Sequence, residues 1–185
     1  MINFTDLPKF YFITDLAPAE QFALKLRRIL VNGGRLIQLR LPGLNDSEYC
    51  AYAQLALELC HEFSAQLMLN CAPDLALRIG TGVHLSAARL ATITARPALP
   101  WVAASCHNQN EIAHAQNLGV DFAVLSPVLM TKSHPDAQPL GWNRFGELVA
   151  ATKIPIYALG GMTLNDCAIA RSYGAHGIAL LSAVW

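Results

Sequence analysis

The sequence predicts an α/β fold, a short (β/α)8 TIM barrel of eight parallel strands, and three observations carry that expectation. Eight short runs rich in β-branched and aromatic residues recur along the 185-residue chain. Segments with helical spacing lie between them, and strand alternating with helix implies a parallel sheet. Several runs are apolar without alternation, as strands covered on both faces are. An open doubly wound sheet fits less well, because no glycine-rich GxGxxG motif follows the first run.

Taken in order, the first run is Phe10 to Thr14. An amphipathic segment from Pro18 to Val31 follows, with Phe22, Leu26, Ile29 and Leu30 on one face and Gly33 as its stop. The second run, Leu36 to Leu41, leads to a helix over Ser47 to Phe63. Leu67 to Asn70 is the third run, and Gly80 reads as a helix stop before the fourth, Val83 to Leu85. Trp101 to Ser105 is the fifth, followed by a helix over Asn110 to Leu118 that stops at Gly119. The sixth run is Phe122 to Ser126, with a helix over Trp142 to Ala151. Ile154 to Leu159 and Gly177 to Leu181 are the seventh and eighth, separated by a helix over Leu164 to Tyr173 that stops at Gly174. A barrel usually needs about 250 residues. Here the eighth run lies almost at Trp185, so the closing helix is expected to be missing or reduced to a turn, within a single domain over residues 1–185.

Composition narrows the function. With 54% hydrophobic residues, 14% charged residues and a formal net charge of zero, the chain has no electrostatic footprint for nucleic acid or an anionic membrane. No apolar run approaches the roughly 18 residues that span a bilayer, and the amino terminus lacks a signal-peptide pattern. A cytoplasmic protein with small-molecule ligands is expected. The five cysteines, Cys50, Cys60, Cys71, Cys106 and Cys167, are scattered without a CxxC pair, which reads as reduced thiols and not as a disulfide framework or zinc site.

In a barrel, chemistry belongs at the carboxyl ends of the strands. Nearly every run here ends in a donor or acceptor: Thr14 and Asp15, Gln38 and Arg40, Asn70, His84 and Ser86, Ser105 and His107, Ser126 and Thr131. Each has a purely structural alternative; Asp15 would cap the following helix, and a lone histidine such as His84 would be a satisfied core residue. Gly160, Gly161 and Met162 after the seventh run and Ser182 and Ala183 after the eighth put unobstructed backbone amides at one edge, where a phosphate commonly docks.

The ordered set of Ile13-Thr14-Asp15, Gln38-Leu39-Arg40, Asn70, Gly82 to Ser86, Ser105-Cys106-His107, Ser126 to His134, Ala158 to Met162 and Gly174 to Val184 resembles the thiamine-phosphate synthase and TenI (thiazole tautomerase) family. The resemblance covers essentially the whole chain. Thr131 to Pro135 and Pro139 to Trp142 are similar to synthase-like domains found fused to Nudix hydrolases. The resemblance implies a barrel that joins an aminopyrimidine methyl diphosphate to a thiazole phosphate, with magnesium on the leaving diphosphate. It gives Gln38 and Arg40 to the pyrimidine and its diphosphate, and makes Asn70 and Ser105 polar ligands at the ends of strands 3 and 5. Thr131 and Ser133 fall to the thiazole side, and Gly160, Gly161 and Ser182 to the thiazole-phosphate cradle. Members of this fold often pair, so a homodimer is compatible with it.

The departures from the family pattern are specific. Its synthases carry Asn-Asp-Asp after strand 3 and an acidic residue in HLGQ(E/D)D after strand 4, whereas this chain has Asn70-Cys71-Ala72 and His84 to Arg89. Cys71 and Arg89 thus replace the metal carboxylates, and Arg89 is suited to neutralise the diphosphate in the metal's place. Pro42 stands where a diphosphate lysine is expected, and His134 falls near the lysine of the thiazole loop. The tautomerase branch fits no better, because its catalytic histidine after strand 6 aligns with Pro127. Were protons shuttled, the candidates are His84, His107, His134 and the thiols of Cys71 and Cys106. Three readings follow: an atypical synthase, a tautomerase, and a non-catalytic binder of a thiamine precursor.

Overall fold

A computed structural model describes residues 7–131, 138–181 and 185. Eight parallel strands close in sequential order into a barrel, β1 pairing with both β2 and β8. The elements run β1 (Phe10–Ile13), α1 (Ala19–Val31), β2 (Leu36–Leu39), α2 (Asp46–Glu62), β3 (Gln66–Leu69), α3 (Pro73–Ile79), β4 (Gly82–Leu85) and α4 (Ala87–Leu90). They continue with β5 (Val102–Cys106), α5 (Gln109–Leu118), β6 (Phe122–Leu125), α6 (Gly141–Ala150), β7 (Ile156–Ala158), a 3-10 turn (Leu164–Asp166), α7 (Cys167–Ser172) and β8 (Gly177–Leu180). The expected strands are all present, mostly trimmed by a residue or two at their ends.

The period-2 geometry of a strand divides the apolar residues into two cores. One fills the barrel: Tyr11, Ile13, Leu36, Met68, Ala103, Phe122, Val124, Tyr157 and Ala179. The alternate positions, among them Ile37, Leu39, Leu67, Leu69, Val83, Leu85, Val102 and Ala104, face outward and join the helices in the second core. This double coverage is why the strands read as continuous apolar runs. Edge-to-face contacts of Phe122 with Tyr11 (5.2 Å between centroids) and with Tyr157 (5.3 Å) fill the barrel's centre. At the amino-terminal end, the Tyr157 hydroxyl donates to the Pro8 carbonyl and closes the floor.

Helix α1 buries Phe22, Leu26, Ile29 and Leu30, the face read from the sequence. Of two short helices, the sequence showed only the stop of one, at Gly80, and nothing of the other. Helix α3 begins with Pro73 at its first turn and ends at Gly80; α4 is a single turn capped by Ser86, whose Oγ accepts from the Arg89 amide at 3.3 Å. Neither is long enough to show a 3.6-residue period. Asp15 does not cap α1: its carboxylate accepts from the Leu16 amide at 2.9 Å, and the cap position is Pro18. No described helix is long and apolar enough to cross a membrane. The turn expected in place of a closing helix lies mostly outside the described residues.

Candidate active site

The same alternation that packs the barrel carries polar side chains to its mouth. Two residues beyond inward-facing Leu36 comes Gln38, then Arg40; beyond Met68 comes Asn70; beyond Gly82, His84; beyond Ala103, Ser105. Gln38 and His84 are buried, while Asn70 and Ser105 are partly exposed.

These side chains form one hydrogen-bonded chain across five strands. Asn70 Nδ2 donates to Gln38 Oε1 at 3.4 Å, and Gln38 Nε2 donates to the Tyr11 hydroxyl at 3.1 Å. The Tyr11 hydroxyl lies 3.1 Å from His84 Nδ1, and His84 Nε2 lies 2.8 Å from Ser105 Oγ. Sequence reading missed Tyr11, because Phe10-Tyr11-Phe12 looks like any apolar strand; its inward register was the available signal.

Arg40 is held from the neighbouring strand: its amide donates to Thr14 Oγ1 at 3.1 Å. Arg89, on the single turn of α4, acts electrostatically on both the Cys71 thiol and the Tyr49 phenol. Neither guanidinium forms an ion pair with a described carboxylate. Tyr49 itself donates to the Leu39 carbonyl at 3.0 Å, fastening α2 beneath this edge.

The glycine pair has two reasons to be glycine. Gly160 and Gly161 have φ of 101° and 70°, in the left-handed region. A Cβ on Gly160 would come within 2.8 Å of Pro127, and one on Gly161 within 2.5 Å of the Met130 carbonyl. The β6–α6 and β7–α7 loops therefore interlock, with the Val128 amide donating to the Leu159 carbonyl and the Leu129 amide to the Gly160 carbonyl. Neither the Gly160 nor the Gly161 amide donates to another described residue, so the packing of the two loops does not use up the amides expected to cradle an anion. Thr131 lies in the β6–α6 loop; Ser133, His134 and Ser182 lie outside the described residues.

Burial keeps the titratable ring of the inner site neutral: desolvation holds His84 down to about 3. On the outward face of β5, among the helices, it pushes the Cys106 thiol up to about 12. Cys71 is pushed up to about 11 by burial, with Arg89 opposing, and its thiol donates to the Ala72 carbonyl at 3.2 Å. His107 turns to the helix: its Nδ1 lies 3.0 Å from Glu111, within the network that caps α5 at Asn108.

A magnesium ion, implied by the family resemblance, does not fit these donors. At its expected edge stand a protonated thiol and a guanidinium, and a hard cation requires oxygen ligands. Among the described residues no group of three or more His, Cys, Asp or Glu side chains is arranged to hold a metal. What the mouth offers instead is donors to an anion: Arg40, Arg89, the Ser105 hydroxyl and the two glycine amides.

A family model described as thiamine monophosphate synthase matches residues 10–184. The chain is 34% identical over 185 residues to the thiamine-phosphate synthase of Methanospirillum hungatei, covering 94% of this chain and 88% of that protein. It is 31% identical over 169 residues to the thiamine-phosphate synthase of a Synechococcus species, covering 89% of this chain but only 48% of that longer protein. The solved thiamine phosphate pyrophosphorylase from Pyrococcus furiosus superimposes with a TM-score of 0.79 at 27% identity, covering 95% of this chain and 86% of that one.

Proposed function

Because this chain belongs to the thiamine monophosphate synthase family, we propose that it couples an aminopyrimidine methyl diphosphate to a thiazole phosphate, giving thiamine phosphate and diphosphate. The carbon–oxygen bond to the diphosphate ionises, and the thiazole nitrogen attacks the resulting carbon centre. Such a reaction asks for charge stabilisation on the leaving group and little acid or base. The observation that supports the reading is the combination, at the carboxyl ends of the strands, of anion donors with a buried histidine held neutral.

In this reading Arg40 binds the diphosphate, two guanidinium N–H groups matching two phosphate oxygens. Arg89 supplies the second positive charge in place of a metal. Gln38 and Asn70 orient the pyrimidine, and Ser105 donates to the diphosphate. Gly160 and Gly161, with Ser182, hold the thiazole phosphate, and Thr131 and Ser133 line its loop. His107 and His134 have no proton-transfer step to perform in this scheme. The five free cysteines suit a reducing compartment, and a cytoplasmic location and a single domain over residues 1–185 are part of the proposal.

The test is a coupled assay with purified protein and both substrates, following thiamine phosphate and diphosphate together. Equimolar appearance of the two is expected. Interconversion of thiazole phosphate isomers without diphosphate release would instead identify a tautomerase, and saturable thiazole phosphate binding with no turnover a non-catalytic binder.

A further inference from the structure

The chain from Asn70 to Ser105 has an unusual form: both ends are partly exposed at the mouth, while its three central members are buried in the barrel, Tyr11 at 0%, His84 at 1% and Gln38 at 2% exposure. A buried hydroxyl must place its proton on an acceptor. Tyr11 already accepts from Gln38 Nε2, so its own proton goes to the other group in reach, His84 Nδ1, 3.1 Å away. A neutral imidazole that accepts at Nδ1 carries its single proton at Nε2. That Nε2–H points at Ser105 Oγ, 2.8 Å away, and the serine oxygen receives it. The serine proton is then left to point out of the barrel.

Reversing the chain would require Gln38 to turn its carbonyl to Tyr11, and Ser105 would donate inward to His84. An anion bound beside Ser105 opposes that arrangement, since it would meet a lone pair instead of a proton. Each link in this direction favours the next, as oriented hydrogen bonds polarise one another in a low-dielectric interior. The ring edges also fix Tyr11: Phe122 stands edge-on at 5.2 Å and Tyr157 lies at 5.8 Å, so the phenol cannot swing away from His84.

Resting on the synthase reading above, we propose that Tyr11 and His84 are positioning residues: they hold the imidazole as its Nε2–H tautomer and so present the Ser105 hydroxyl proton outward, to an oxygen of the diphosphate. Neither side chain touches substrate. Their effect on turnover passes through the direction of one proton on Ser105, where charge grows as the carbon–oxygen bond breaks.

The test joins spectroscopy to kinetics. In the resting protein, ¹⁵N NMR of His84 is expected to show a protonated Nε2 and a bare Nδ1. Tyr11→Phe keeps the ring and removes the donor, so the Nδ1–H tautomer should gain population and Ser105 should turn inward. For that variant kcat should fall roughly tenfold, with KM for thiazole phosphate within about twofold of the unsubstituted protein. Binding of inorganic diphosphate, read by calorimetry, should weaken roughly fivefold. His84→Gln sets an amide nitrogen near the former Nε2 and should keep more turnover than His84→Asn, whose amide reaches only to the Nδ1 position.

A resting Nδ1–H tautomer overturns the proposal, as does Tyr11→Phe with unchanged kcat and diphosphate binding, or Asn equalling Gln at position 84. Absence of product from the unsubstituted protein sinks the synthase reading instead, and the tautomer and diphosphate measurements still decide the proton's direction.

Discussion

At the scale of single residues, the site is built from groups whose charge is settled by burial. His84 illustrates the sign of that effect. The unfolded chain takes up a proton on this ring near the ordinary 6.5, while the folded chain resists until about 3. The stability contributed by a neutral His84 is therefore complete above about pH 6.5 and is lost as pH falls toward 3, by up to about 1.4 kcal/mol per pH unit. Urea unfolding of the unsubstituted protein and of His84→Gln between pH 7 and pH 4 should show the former losing stability faster; parallel curves would count against a buried neutral ring. Arg40→Ala should lower kcat/KM for the pyrimidine diphosphate by roughly ten- to a hundredfold, since a hydrogen bond to a charged group contributes about 1.5–3 kcal/mol, and should leave thiazole phosphate binding intact. Gly161→Ala should do the converse, because a side chain there meets the Met130 carbonyl in a left-handed backbone. A cost of about 1–3 kcal/mol and weakened thiazole phosphate binding are expected, read by calorimetry and thermal melting.

At the scale of elements, the barrel follows from local signals that agree. Helix α2 starts in a capping box, the Asn45 side chain accepting from the Glu48 amide at 3.0 Å while the Glu48 carboxylate receives the Asn45 amide at 3.1 Å. Asn45→Ala should cost about 1 kcal/mol, a fall of about 2–4 °C in Tm for a chain of this size. Differential scanning calorimetry checks it, and an unchanged Tm would mean α2 is held by packing alone. Long periodic elements such as α1 were legible in the sequence because their buried face repeats over several turns. The short α3 and α4 were not, since one or two turns cannot display a period and Ser86 serves as strand end and cap at once. Likewise the polar strand ends were legible as a set. Their wiring was not, because Tyr11 gives no polar signal in the middle of an apolar run and only strand register places it beside Gln38 and His84. The glycine pair was readable as a tight turn after the seventh strand, whereas its loop-locking role needed the tertiary contact with Pro127 and Met130.

At the scale of the whole molecule, a closed barrel with an apolar interior carries its inward polar side chains at the carboxyl ends of the strands, where the proposed chemistry is placed. In the proposed function, cations and hydrogen-bond donors replace the acidic residues a metal would need, with Cys71 and Arg89, which interact electrostatically, at the decisive positions. The most direct test measures diphosphate release from the two substrates with magnesium and again with the metal chelated. Thiamine phosphate is expected in both conditions, at rates within about tenfold of each other, with loss of the metal-free rate in Arg89→Met. A strict requirement for magnesium, unaffected by Arg89→Met, would contradict it.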